Sequence, residues 1–136
     1  MILCDTHVLV WHIEGQTRLG QAARDRIETM RRSDGVLISA ISAWEIVQLA
    51  KAGRLALSKD VDAWLGFVRA LPGYIDVPVS TVVAMRAAAL DWNHRDPADR
   101  FLVATSRELS VPLLTADRTI LDYAAAGHIE AIDARF

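Results

Sequence analysis

Short apolar runs alternate along this chain with longer segments that follow the period of a helix. The runs occupy residues 2–4, 36–39, 74–77, 111–115 and 129–132. Most are apolar throughout, which is typical of strands that are covered on both faces. Strands that alternate with helices predict a parallel sheet with helices packed on its two sides. The fold class is therefore predicted to be α/β.

Helical stripes fill the segments between the runs. One stripe comprises Leu19, Ala22, Ala23, Ile27 and Met30, and a second comprises Val61, Trp64, Leu65, Val68 and Leu71. Trp64 lies on a stripe and is expected in the core. Further helices are predicted over residues 81–90 and from near Pro97. No repeat or long linker interrupts the pattern, so residues 1–136 are expected to form a single domain.

Composition limits the functions that the chain can have. Apolar residues make up 52% of it and the formal net charge is −2, which argues against a non-specific electrostatic binder of nucleic acid but permits a nuclease. Its lone cysteine, Cys4, excludes an internal disulfide and is expected to fill the core. The apolar start is interrupted by Asp5 and lacks a basic region, and no run is long enough to cross a membrane. The cytoplasm is the expected location.

Four carboxylates stand where apolar segments give way to turns or helix starts, namely Asp5, Glu45, Asp99 and Asp117. Such positions meet at the carboxyl edge of a parallel sheet, where ligands bind. Clustered acids repel one another unless a cation neutralises them, which predicts a divalent-metal site. Because the histidines lack the spacing of a zinc site, Mg²⁺ or Mn²⁺ is expected. No glycine-rich phosphate loop is present.

Two of these acids also have a structural interpretation at a helix start. Asp5 is suited to cap a helix, although Thr6 beside it can also do so. Glu45 follows Ser42 with the spacing of a capping box, in which the glutamate bonds back to the cap residue. On that pattern alone the structural interpretation of Glu45 is slightly favoured over a functional one.

The other acids lie near the last two predicted helices. Asp96 precedes Pro97, which favours the first helical position, so Asp96 is expected to be the N-cap. Asp99 is then free to project from the first turn and is the better metal candidate, with Asp96 as the alternative acid. Asp117 is suited to cap a short helix, and Thr115 next to it is expected to orient a water or phosphate.

Taken together, these motifs resemble the PIN-domain family, specifically the VapC-type ribonuclease toxins. Residues 2–11 resemble a strand followed by D-T-x-x-L-x-W, and residues 39–46 resemble S-x-x-S-x-x-E. Residues 94–104 resemble H-x-D-P-x-D-R-x-L-x-A, and residues 114–117 resemble the closing T-x-D. The similarity spans nearly the whole chain, and no acid is missing.

The resemblance implies a three-layer α/β/α sandwich with a central parallel five-stranded sheet, and an endoribonuclease that cleaves RNA with Mg²⁺ or Mn²⁺. Asp5 and Asp99 are implied as the metal ligands, and Glu45 and Asp117 as acids that complete the pocket or act through bound water. Thr6 and Thr115 are assigned supporting roles. Arg100 is also assigned one, either in contact with substrate or partner or simply solvated on its helix.

A cognate antitoxin is the implied partner, in a toxin–antitoxin hetero-oligomer, and homodimers are common in the family. The apolar helix around Trp11 offers a docking surface for such a partner. The alternative is a non-catalytic PIN-fold module for interaction or RNA binding, which would be expected to have lost acids. Receiver-type and haloacid-dehalogenase-like domains need acids or lysines at positions where this chain has none.

Overall fold

Five parallel strands form one sheet at the centre of the structure, a computed structural model that describes residues 1–136. The strands are β1 (Ile2–Cys4), β2 (Val36–Ser39), β3 (Tyr74–Val77), β4 (Leu113–Thr115) and β5 (Ala131–Asp133). Their order across the sheet is β3-β2-β1-β4-β5. The predicted parallel five-stranded sheet is confirmed.

Seven helices connect and cover the strands. They are α1 (Thr6–Ile13), α2 (Gln21–Arg31), α3 (Ala40–Lys51), α4 (Val61–Ala70), α5 (Thr81–Ala89), α6 (Pro97–Leu109) and α7 (Arg118–Ala125). None of them combines the length and the apolar character needed to cross a membrane.

Alternate residues of the central strands face two separate cores. Ile2 and Cys4 of β1 join a core that includes side chains of α1, α2 and α4, among them the fully buried Trp64. Leu3, between them in sequence, joins a second core with side chains of α6 and α7, including Leu102. Both faces of the sheet are therefore covered, as the apolar runs predict. The three-layer sandwich, the core position of Trp64 and the burial of Cys4 are confirmed.

The strand order creates a crevice beside β1. The chain passes from β1 outward to β2 and β3, and then crosses to the other side of β1 to form β4 and β5. Ligands bind at such a switch point, outside the carboxyl ends of the strands. Asp5 directly follows β1 there, and Asp117 lies two residues after β4.

Three local predictions differ from the structure. Strand β5 covers residues 131–133 rather than the predicted 129–132, because Ala131 is paired with Leu113, the first residue of β4. Strand β4 begins at Leu113 rather than at residue 111, since Val111 bonds through its N–H and its carbonyl to Ser106 of the preceding helix. Helix α3 follows β2 without a loop and is capped by Ser39, whose hydroxyl accepts from the N–H of Ile41 at 3.1 Å. Ser42 is therefore inside the helix, and the capping-box interpretation of Glu45 is wrong.

Candidate active site

A cavity of about 220 Å³ opens at the crevice between β1 and β4. Its lining residues are Asp5, His7, Trp11, Glu45, Asp96, Asp99, Ala116 and Asp117. The structure thus brings together all four predicted acids and the alternative, Asp96. No lysine or arginine is among the lining residues, so no cationic side chain in the lining balances the charge of these carboxylates.

Asp5 is held rigidly at the base of this cavity. It follows β1 and caps α1, with Oδ1 accepting from the N–H of Thr6 at 2.6 Å. Its Oδ2 accepts from the hydroxyl of Thr115, also at 2.6 Å. Burial raises the pKa of Asp5 to about 6, against the lowering effect of these hydrogen bonds and with a smaller contribution from the charge of Glu45. The cap and the candidate ligand are therefore the same side chain.

Thr115 links Asp5 to Asp117. Its hydroxyl donates to Asp5 and accepts from the N–H of Asp117 at 3.0 Å, and the residue is fully buried. Thr115 thus positions two site acids, and its expected role in orienting a water or phosphate stays a prediction. Asp117 in turn accepts at Oδ1 from the N–H of Ile120 at 3.1 Å, so the predicted cap of a short helix is confirmed.

Glu45 reaches the cavity from α3, which a buried hydroxyl pair ties to α1. The hydroxyl of Thr6 donates to that of Ser42 at 2.9 Å, and both residues are fully buried. Glu45 lies three residues after Ser42, on the same face of the helix. Because Thr6 adjoins Asp5, this bond fixes α3 so that Glu45 and Asp5 line one cavity. The role of Ser42 was missed from the sequence, where only its capping potential is visible.

Asp99 lies in the first turn of α6 and is 7% exposed. Asp96 caps this helix, accepting at Oδ1 from the N–H of Ala98 at 3.0 Å, as predicted. Burial raises the pKa of Asp99 to about 7, and the charges of Asp5, Asp96 and Asp117 raise it further, whereas a hydrogen bond from His94 lowers it. The Nε2 of His94 lies 2.6 Å from the Oδ2 of Asp99. His94 was not predicted as a site residue, although it begins the segment that carries both aspartates.

Arg100 does not line the cavity but holds the backbone next to it. Its guanidinium donates to the backbone carbonyls of Ala87, Ala88, Leu90, Trp92 and His94 at 2.7–3.4 Å. These bonds satisfy carbonyls at the end of α5 and fix the loop that carries His94 to α6. Arg100 is therefore held by the backbone rather than free in solvent, which supports a structural role, and a contact with substrate or partner stays a prediction.

The donor set fits a divalent cation. Two buried carboxylates have raised pKa values, which indicates that their charge is poorly compensated without a bound cation. Glu45 and Asp117 add two further half-buried carboxylates to the same cavity. In addition, His94, Asp96 and Asp99 place ligand atoms within 4.8 Å of one another. Carboxylate oxygens are the ligands that hard divalent ions prefer.

Comparison with known proteins agrees with this architecture. The PIN domain profile matches residues 2–126. Ribonuclease VapC22 of Mycobacterium tuberculosis (strain ATCC 25618 / H37Rv) is 35% identical over 121 residues, which cover 88% of each chain.

Solved structures share the fold at lower identity. VapBC2 from Rickettsia felis, bound to a DNA fragment from its promoter, has a TM-score of 0.71 at 12% identity, with 98% of both chains covered. FitAcB from Neisseria gonorrhoeae has a TM-score of 0.67 at 19% identity, again over 98% of both chains. From the profile match and the identity to VapC22, the chain belongs to the PIN domain family and to its VapC-type group.

Proposed function

We propose that this protein is a metal-dependent endoribonuclease and the toxin of a type II toxin–antitoxin system. The observation that carries the proposal is the cavity in which Asp5, Glu45, Asp99 and Asp117 meet without a lysine or arginine in the lining. The relative named Ribonuclease VapC22 supports RNA as the substrate class, since the similarity covers most of both chains.

Asp5 and Asp99 would hold Mg²⁺ or Mn²⁺, and Glu45 and Asp117 would complete the acidic pocket or act through bound water. When bound, such an ion lowers the pKa of a water molecule and stabilises negative charge on a phosphate. Thr115 keeps the carboxylate of Asp5 in one orientation through its 2.6 Å bond. Thr6 and Ser42 hold the helix that carries Glu45 beside it. The acids are therefore positioned before substrate binds, which reduces the cost of assembling the site.

Membership in the VapC-type group supports an antitoxin as the partner of this protein. Structures similar to this chain include a toxin–antitoxin complex from Klebsiella pneumoniae, with a TM-score of 0.63, and VapBC from Salmonella typhimurium, with a TM-score of 0.66. A cognate antitoxin would cover the cavity and silence it. We further propose that the protein forms a homodimer or a toxin–antitoxin hetero-oligomer.

Brief expression followed by mapping of new RNA ends tests the activity. The wild type is expected to slow growth and to produce discrete new ends, and co-expression of the small protein encoded beside it should restore growth. Asp5→Asn should abolish both effects, whereas Asp122→Asn, the same change on the exposed face of α7, should abolish neither.

Three results would count against parts of the proposal. New ends that appear equally with Asp5→Asn would refute cleavage at this cavity. RNA binding without new ends would favour the non-catalytic PIN module. An active nuclease whose expression does not slow growth would refute the toxin assignment alone.

A further inference from the structure

His94 is the only histidine that bonds to a predicted site acid. Its Nε2 lies 2.6 Å from Oδ2 of Asp99, and 22% of its side chain is exposed. Asp96 adds a carboxylate oxygen, so that nitrogen and oxygen atoms of three residues lie within 4.8 Å of one another. His94 is not among the residues that line the cavity, but its nitrogen reaches two acids that do, and a purely carboxylate interpretation leaves that nitrogen out.

The surrounding structure holds this ring in place. It packs against the ring of Trp92 at 4.7 Å between centroids, and Trp92 stacks on Tyr123 at 4.5 Å. The carbonyls of Trp92 and His94 accept from Arg100 at 2.7 and 2.9 Å. Ring and backbone are both fixed, with Nε2 directed at the acid. If the His94 ring served only to pack the loop, Nε2 would not need to face Asp99.

We propose that His94 Nε2 is a metal ligand beside Asp99, and that the site consequently prefers a first-row transition ion such as Mn²⁺ to Mg²⁺. This inference rests on the proposed function, because it concerns the ion of that same site. Imidazole is a good ligand for first-row transition ions, whereas Mg²⁺ favours oxygen ligands and retains its waters. Two neighbouring ligands at right angles around an ion at about 2.1 Å lie about 3.0 Å apart. The 2.6 Å between Nε2 of His94 and Oδ2 of Asp99 therefore has to widen by only about 0.4 Å, with the ion taking the place of the proton between them.

The competing explanation is that His94 only positions Asp99 through its N–H. His94→Gln separates the two roles, since the glutamine amide retains an N–H that donates to Asp99 but removes the imidazole. Two matched substitutions serve as controls. His7→Gln removes the one histidine that lines the cavity, and His128→Gln removes an exposed ring that stacks on Tyr123 outside the cavity.

The test uses the purified full chain loaded with Mn²⁺. Electron spin echo spectroscopy detects ¹⁴N coupled to the bound ion, and calorimetry gives the affinities for Mn²⁺ and Mg²⁺. We expect ¹⁴N coupling in the wild type, in His7→Gln and in His128→Gln, and its loss in His94→Gln. We also expect His94→Gln to weaken Mn²⁺ binding by about tenfold or more and Mg²⁺ binding by less than about threefold.

Each other outcome overturns the inference. Mn²⁺ that binds without ¹⁴N coupling, or coupling that survives in His94→Gln, excludes His94 as the ligand and leaves the ribonuclease proposal intact. Equal loss of affinity for both ions assigns His94 a positioning role. Failure of the wild type to bind either ion overturns this inference and the metal-dependent function together. Circular dichroism and melting in chelator confirm that His94→Gln is folded.

Discussion

Asp99→Asn is expected to stabilise the metal-free protein while it inactivates the site. In the folded protein the pKa of Asp99 is about 7, compared with 3.8 for an unperturbed aspartate. Each unit of difference between the folded-state and unfolded-state pKa changes the free energy of unfolding by about 1.36 kcal/mol. Ionised Asp99 therefore opposes folding by about 4 kcal/mol at pH 8. Asparagine retains the shape and an amide partner for His94 but never carries the charge. Allowing for the cost of a buried amide, we expect a gain of roughly 2–4 kcal/mol.

The pH dependence of this gain follows from the sign of the pKa change. Because the folded-state pKa is raised, the folded protein binds more protons than the unfolded chain between pH 3.8 and about 7. The stability of the wild type therefore falls as the pH rises through this range. Asp99→Asn lacks this contribution, so its advantage should shrink by about 2–3 kcal/mol between pH 8 and pH 5.

Urea unfolding in chelator at pH 8 and at pH 5 measures both quantities. Asp122→Asn is the control, because it removes one exposed carboxylate from α7 and should change neither stability nor its pH dependence by more than about 0.5 kcal/mol. An Asp99→Asn protein that unfolds at the same urea concentration as the wild type at pH 8, or whose advantage persists at pH 5, would refute the reasoning. The charge of Asp99 would then be compensated inside the folded protein.

Three further predictions concern the groups around the acids. Mn²⁺ at ~100 times its dissociation constant should stabilise the wild type by about 2.7 kcal/mol, and Asp5→Asn should lose most of this gain; equal melting shifts in both proteins would place the ion elsewhere. Thr115→Val removes the donor to Asp5 and the acceptor for the N–H of Asp117, and should cost about 1–3 kcal/mol of unfolding free energy, whereas Thr115→Ser should retain most of it; urea titration of the two variants decides. Arg100→Lys cannot span the five carbonyls and should lower both the melting temperature and RNA cleavage; a fully active, equally stable variant would show that the loop needs no such support.

The sheet was predictable because its strands are short, apolar and buried on both faces. That pattern locates β1, β2 and β3 to the residue. The carboxyl-edge position of Asp5 and Asp117 follows from the same pattern, since each comes directly or shortly after a strand. Asp96 and Asp99 were separable because Pro97 fixes where α6 begins.

The remaining features depend on contacts that the residue pattern does not encode. Two serines three residues apart both suit an N-cap, and only the end of β2 decides in favour of Ser39. The partners of Arg100 are backbone carbonyls, which every residue possesses, so no side chain marks them in advance. The bond between His94 and Asp99 depends on a loop that Arg100 and Trp92 shape. Such contacts become visible only in three dimensions.

Cleavage of a defined RNA by purified protein in Mn²⁺ tests the central claim most directly, when the wild type is compared with Asp96→Ser and Asp99→Asn. Serine is as good an N-cap as aspartate, so Asp96→Ser should keep much of the wild-type rate. Asp99→Asn removes the charge that a hard cation requires and should lose about 100-fold or more. If Asp99→Asn cleaves at the wild-type rate while Asp96→Ser is inactive, Asp96 and not Asp99 is the site acid at the start of α6. If both variants cleave at the wild-type rate, this cavity is not the site of RNA hydrolysis.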